Sequence, residues 1–158
     1  MASRIIADKG IFEYIKSIEY LKKNNFKGKF YLVGDIDYKN PSAIKESTIN
    51  YWHKKKIITY VKHQKKISTF LKKSTIVVLP SYREGFPKIL MEAAACGRPV
   101  VTTNVPGCKD AIIKNITGVL VPPKNHILLA KAIKNLCDNR KKLELIGKAA
   151  RKHALKNF

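Results

Sequence analysis

"TIVVLPSYREGFPKILMEAAACGRPVVTT", residues 75–103, sets two apolar runs on either side of a helix-forming middle. Ile76-Val77-Val78-Leu79 and Val100-Val101 lack the polar alternation of a strand with one wet face. Both therefore read as strands covered on two sides, as in a parallel sheet. Between them Pro87 suits the first turn of a helix, because its missing N–H is one that would lack an intrahelical partner, and a helix is expected over 87–96. Consecutive parallel strands need such a crossover, so the stretch reads as one strand–helix–strand unit.

The same alternation continues in both directions. Upstream, Ile11, Ile15, Ile18 and Leu21 recur at helical spacing with lysines at the far end, predicting a helix over 11–24. "KFYLVGD" reads as a strand that stops at Gly34. After a polar loop, Ser42 is expected to cap a helix over 42–54 with Glu46 in its first turns. "IITYV" is the next strand and "KKISTFLKKS" a short helix. Downstream come a short helix near 108–113, a strand at "GVLVP", and helices over 126–138 and from 140 to the end. The fold class is α/β, a Rossmann-like parallel sheet with helices on both faces, and ligands of such sheets gather at the carboxyl ends of the strands. Those ends are Gly34-Asp35, Pro80 to Glu84, Thr103 to Gly107 and Pro122-Pro123. "SRII" reads as the tail of a truncated first strand, which would leave its neighbour short of a partner.

A chain of 158 residues with 45% apolar content fits one folded domain and excludes a disordered tract. Its 32 Lys and Arg against 11 Asp and Glu give +21, a field that attracts phosphates and is compatible with peripheral contact with an anionic membrane. The lysines are spread over every expected helix, which reads first as a solvated surface. No aromatic-basic ribbon or base-reading helix stands out, so no nucleic acid partner is expected. Cys96, Cys108 and Cys137 form no C-x-x-C pair, pointing to a reducing, cytoplasmic compartment. His53, His63, His126 and His153 lack a second ligand at metal-like spacing, and no metal site is expected. No apolar stretch approaches the roughly 20 residues of a membrane helix.

Two acids stand out: Glu84 in the turn after a strand, and Glu92 inside a helix whose only other charge is Lys88. Gly85 lets backbone approach a ligand closely, and "REGFP" places free amides at a helix N-terminus, which suits an anion. Glu84 reads either as a partner of the helix dipole or as an acceptor of hydroxyls held over those amides. Glu92 reads either as a solvent-facing acid near Lys88 or as a carboxylate bonded in a cleft, since a buried unpaired one would cost several kcal/mol.

The stretch resembles the E-x7-E motif of family 4 glycosyltransferases, in its form E-G-F-P-x-x-x-x-E. "SRIIADKG", "FYLVGDID", "NPSAI", "VVLPSYREGFPKILMEAAACGRPVVTTNVPGC" and "TGVLVPP" follow in the family's order, similar in particular to bacterial transferases of polyprenyl-linked surface polysaccharides. The resemblance implies the C-terminal, donor-nucleotide half of a two-domain GT-B fold. It implies that Glu84 meets hydroxyls of the transferred sugar, that the amides of Gly85, Phe86 and Lys88 lie near that sugar and the β-phosphate, and that Glu92 meets the ribose. Gly34 falls to the nucleotide as well. Arg4 and Lys9 match the basic pair that neutralises the departing diphosphate, which as a phosphate clamp makes physical sense. "DID", residues 35–37, imitates the metal motif of the unrelated GT-A enzymes, but the other matches are to the metal-independent type, so Asp35 and Asp37 read as loop acids. Lys62 stands where many relatives have glycine, with His63 after it, and a side chain there bears on the base pocket.

The expected function is thus binding of a nucleotide-sugar donor, taken as a UDP-sugar, for retaining transfer to a polyprenyl-linked or saccharide acceptor, with no further cofactor. The acceptor domain is expected to be absent and the chain alone inactive. A non-catalytic nucleotide-sugar-binding remnant and a half-enzyme needing a separate acceptor-domain chain are the alternatives.

Overall fold

The computed structural model describes residues 1–157. In chain order the elements are α1 (Ile11–Lys23), β1 (Tyr31–Val33), α2 (Glu46–Lys54), β2 (Thr59–Val61), α3 (Ile67–Lys73) and β3 (Val77–Leu79). They continue with α4 (Lys88–Ala95), β4 (Val100–Thr103), β5 (Gly118–Val121), α5 (His126–Asp138) and α6 (Arg140–Asn157), and short 3-10 turns lie at Ala7–Lys9 and Lys109–Ala111. All strand pairs are parallel, but the strands form two hydrogen-bonded sheets, β1-β2 and β3-β4-β5.

The apolar runs behave as two-sided strands do. On β3 and β4, Val78 and Val101 join a core built by α1 and α5, through Ile15, Ile18, Leu129 and Ile133. Their neighbours Val77, Leu79 and Val100 point the other way, into a core with Leu71 of α3 and Leu90 and Ala93 of α4. Each fully buried Val, Leu or Ile contributes about 1.5–3 kcal/mol, so helices on both faces are what this pattern demands. α6 lies on α4 through small residues: Ala94, Ala150 and Ala154 pack together. A Cβ on Gly147 would come within 2.6 Å of the Gly97 carbonyl.

Three expectations shift. The helix expected from Ser42 begins only at Glu46, without a side-chain cap. The Asn40 carboxamide takes both the Ser42 amide (2.9 Å) and its hydroxyl (2.8 Å), and Ile44 is drawn toward Ile5, whose carbonyl accepts from the Ile44 amide. The short helix near 108–113 is a single 3-10 turn. The strand beside "SRII" is not bare: residues 2–5 run parallel to β1 and beyond, with Ser3 donating to the Val33 carbonyl and Ile5 to that of Asp35. The expected last helix is present as α6, and its end at Phe158 lies outside the described residues.

An apolar cavity of about 820 Å3 separates the amino ends of β1 and β3, lined by Met1, Tyr14, Phe30, Tyr31, Val77 and Ile133. It faces away from the strand ends where the two acids lie.

Candidate functional site

At the carboxyl ends of β1 and β3 a second cavity, of about 660 Å3, gathers most of the residues singled out from the sequence. Arg4, Lys9, Gly34, Glu84, Lys88 and Glu92 all line it. Gly85 and Phe86 do not line it; they are exposed on the loop just ahead of α4. A Cβ on Gly85 would meet nothing within 4 Å, so its backbone faces open space, as a residue approached by a ligand would.

Lys9 Nζ lies 2.6 Å from Glu84 Oε1, with side chains only 14% and 11% exposed. Their contact joins positions far apart in sequence, and the backbone explains how. Gly10 sits at φ +73° with its α-carbon against the Pro80 carbonyl, where an added Cβ would come within 2.0 Å. The Tyr82 amide donates to the Asp8 carbonyl (2.9 Å), and the Ser81 hydroxyl lies 3.2 Å from the same oxygen. Buried Thr103, at the end of β4, donates its hydroxyl to the Ser81 carbonyl, and Thr102 donates to that of Leu79 at 2.7 Å. Gly107 presses on the other side, where a Cβ would come within 2.2 Å of the Gly85 carbonyl.

Tyr82 completes the fastening. Its hydroxyl donates to Glu13 of α1 at 2.5 Å, and Lys124 Nζ stands 5.1 Å from its ring centre. Burial first, then the hydrogen bond and charge of Glu13, push its phenol well above the ordinary tyrosine range. Behind Glu84, the buried Cys108 thiol is also pushed up, chiefly by burial and partly offset by hydrogen bonds with Thr102 and Thr103.

The opposite rim is looser. Arg4 bonds Asp37 at 2.7 Å in a pair whose Arg side chain is 61% exposed. Asp35 accepts from the His63 amide at 3.1 Å and so ties the loop after β2 to the end of β1. The two acids of "DID" thus hold Arg4 and His63, and His63, Gln64 and Lys65 line the cavity. Gly34 owes its small size to Ser3, whose carbonyl a Cβ would approach to 1.9 Å. Among the described residues no group of three or more His, Cys, Asp or Glu side chains stands close enough to hold a metal ion. Among the described residues no helix is long and apolar enough to cross a membrane.

Glu92 is exposed on α4, with no hydrogen-bond partner among the described residues, on the side that faces the cavity. Pro87 caps α4, and Lys88 and Ile89 of its first turn, whose amides have no intrahelical acceptor, line the same space. The arrangement offers cations, free amides and two carboxylates around one concavity, a chemistry suited to a phosphorylated polyol.

Sequence reasoning missed Asp37, Glu13, Tyr82, Ser81 and Thr103 as supports. Asp37 was legible only as a loop acid; Ser81, Tyr82 and Thr103 fell within the strand ends marked as ligand-facing, but their roles as supports, like that of Glu13, depend on partners far away in sequence.

Comparison with known proteins agrees with this geometry. Residues 1–153 match the family described as Glycosyl transferases group 1. The chain is 30% identical over 155 residues to the capsular polysaccharide biosynthesis glycosyltransferase CapM of Staphylococcus aureus, covering 98% of this chain and 40% of that protein. It is 34% identical over 155 residues to the N,N'-diacetylbacillosaminyl-diphospho-undecaprenol alpha-1,3-N-acetylgalactosaminyltransferase of Campylobacter jejuni, covering 98% and 39%. The chain therefore spans about 40% of the length of these relatives. Among solved structures it superimposes on Anabaena HepE in complex with UDP with a TM-score of 0.87 at 23% identity, covering 99% of this chain and 43% of that one. It superimposes on the C-terminal domain of the group 1 protein LpcC of Francisella tularensis with a TM-score of 0.80 at 21% identity, covering 99% and 83%. The fold is that of the Rossmann-like domains of GT-B glycosyltransferases, and the chain belongs to the group 1 glycosyltransferase family.

Proposed function

We propose that the chain binds a nucleotide-sugar, a UDP-sugar, in the cavity at the carboxyl ends of β1 and β3. The observation that carries this reading is the convergence of Arg4, Lys9, Glu84, Glu92 and the first turn of α4 on one concavity. Glu92, without a partner of its own, accepts the ribose hydroxyls. Lys9 and Arg4 take the diphosphate together with the amides at the start of α4, while Glu84, held by Lys9, accepts hydroxyls of the sugar. HepE, a structural neighbour, was solved with UDP and with UDP-glucose.

In retaining transfer the bond between the anomeric carbon and the diphosphate oxygen breaks, and the growing negative charge on UDP falls on Lys9, Arg4 and the helix amides. The residues given these roles carry the charge without a divalent ion. The acceptor, a polyprenyl-linked or saccharide hydroxyl, in keeping with the diphospho-undecaprenol in the Campylobacter jejuni relative's name, must be held within about 3–3.5 Å of that carbon. We assign this task to polypeptide outside these 158 residues, so that residues 1–158 alone bind donor and do not transfer it.

Calorimetry tests the roles. Glu92→Gln is expected to weaken UDP and UDP-sugar alike, on the order of 10-fold for a lost charged hydrogen bond, whereas Glu84→Ala weakens mainly the UDP-sugar. Binding is expected to be unchanged by EDTA. Equal losses for both ligands in both variants, or strict dependence on Mg²⁺ or Mn²⁺, would overturn the assignment.

A further inference from the structure

The charge of this chain is not spread as evenly as its composition suggests. α6 carries seven Lys and Arg residues against one acid, Glu144, whereas α1 sets three lysines against two glutamates. Glu144 is itself tied to Arg140 at 3.0 Å. While one face of α6 buries Ile146, Ala150 and Ala154 in the domain, the opposite face runs Lys141, Leu145, Lys148, Lys152, Leu155. These succeed one another at steps of four, three, four and three residues, so they form one continuous solvent stripe along a helix about 27 Å long. Leu145 and Leu155 are 59% and 70% exposed. Single exposed leucines need no explanation, but here both lie on the cationic stripe.

Beside the stripe is a groove of about 560 Å3, formed by α6 and the Gly97–Pro99 turn, with Arg98, Lys148, Arg151 and Lys152 among its lining residues. Arg98 enters it with Nε buried and, among the described residues, without a hydrogen-bond partner. Arg151 donates to the Ala95 carbonyl and closes the end of α4. Thr75 and Pro99, at the amino ends of β3 and β4, also line this groove, so it lies at the pole opposite the nucleotide cavity.

We propose that this pole docks on an anionic lipid bilayer, with Lys141, Lys148 and Lys152 on lipid phosphates, Arg98 reaching the same anions through the groove, and Leu145 and Leu155 dipping into the acyl boundary. Cations that keep their heads in the phosphate layer while leucines enter the apolar boundary are what a bilayer surface selects. A nucleic acid would use the cations and leave both leucines in water. The cavity at the carboxyl ends of the strands then faces away from the lipid, so this docking pairs with a saccharide rather than a polyprenyl-linked hydroxyl as the acceptor. The inference stands apart from the donor-site reading, because no residue is shared between the two.

The test is cosedimentation of the 158-residue chain with phosphatidylcholine vesicles, with and without phosphatidylglycerol. Binding is expected only with phosphatidylglycerol. Joint replacement Lys141→Glu, Lys148→Glu and Lys152→Glu weakens it by on the order of 100-fold or more. The equally charged control Lys16→Glu, Lys23→Glu and Lys54→Glu, on α1 and α2, stays within about 5-fold of the parent, and Leu145→Ser with Leu155→Ser costs about 10-fold. UDP binding and circular dichroism are unchanged in all three. Equal losses in the two lysine variants, binding to phosphatidylcholine alone, an unaffected leucine variant, or tighter capture of RNA than of vesicles by the same lysines would each overturn the proposal.

Discussion

The two rims of the cavity at the carboxyl ends of β1 and β3 are built on different principles. The rim that carries Glu84 is fastened backbone to backbone: Gly10 against Pro80, Gly107 against Gly85, with Ser81 and Thr103 buried behind. The rim that carries His63 and Arg4 is held by two side chains, exposed Asp35 and half-buried Asp37, each on one partner. Close-packed backbone has few alternative positions, and exposed ion pairs contribute only about 0–1 kcal/mol. The first rim therefore fixes geometry, as the proposed placing of a sugar by Glu84 and Lys9 would require, and the second can vary in residue type without loss of fold.

Breaking the packed rim is expected to have the largest effect. Gly10→Ala puts a Cβ at 2.0 Å from the Pro80 carbonyl, on a residue at φ +73° that L side chains rarely adopt. The backbone of residues 7–10 must move away from residues 80–84, which separates Lys9 from Glu84. A loss of about 3 kcal/mol in unfolding free energy is expected, together with loss of measurable UDP-sugar binding. Urea denaturation and calorimetry check it; a variant as stable as the parent would show that the close approach is not required.

A middle-sized effect belongs to the Tyr82–Glu13 bond. Tyr82→Phe removes the hydroxyl and leaves Glu13 partly solvated, for an expected loss of about 1 kcal/mol. Its pH dependence has a definite sign. The folded-state pKa of Tyr82 is raised by burial and by Glu13 above the ordinary value of 10.0. The neutral phenol is therefore favoured in the fold, its contribution is fully present below about pH 10, and it is lost as pH rises further and the unfolded chain ionises first. The gap in stability between parent and Tyr82→Phe should narrow between pH 10 and 11 in urea titrations followed by circular dichroism. A constant gap across that range would detach the phenol from the fastening.

The same contrast explains what the sequence could reveal. Order and type of the elements are local matters, and the two-sided strands, the lysine-tailed α1 and the bounds of α5 follow from spacing alone. Glu84 and Glu92 stood out because charge in an apolar or glycine-rich setting is conspicuous, whereas Arg4 and Lys9, two of 32 basic residues, were legible only through the family resemblance. What stayed hidden depends on partners distant in the chain: the Ile44 amide drawn to Ile5 ahead of the late start of α2, the hydroxyls of Thr102 and Thr103 directed at Leu79 and Ser81, and the separation of the strands into two sheets. Glycines were legible as glycines but not by role. Gly34 reads as a nucleotide contact and lines the cavity, but only the fold shows that its α-carbon is packed on Ser3 and that Gly107 abuts Gly85.

The smallest stability effect, and the one that most sharpens the contrast, is expected at His63. Its ring is exposed on the loop after β2, and its backbone amide rather than its ring holds the position through Asp35. His63→Ala leaves that amide bond in place, so stability should change by less than about 0.5 kcal/mol, as for surface substitutions in general. Asp35→Ala removes the acceptor and frees the loop, for an expected cost of about 1 kcal/mol. If the rim only needs a tethered backbone, His63→Ala leaves UDP affinity unchanged and Asp35→Ala weakens it. If the imidazole itself contacts the base or ribose, His63→Ala weakens UDP by about 3- to 10-fold while the melting temperature holds. Calorimetry with UDP and with uridine monophosphate separates the cases, because a base or ribose contact is lost equally from both ligands. A His63→Ala protein that is also destabilised by more than about 1 kcal/mol would show that this rim is packed as the other is, and the distinction between the two would fall.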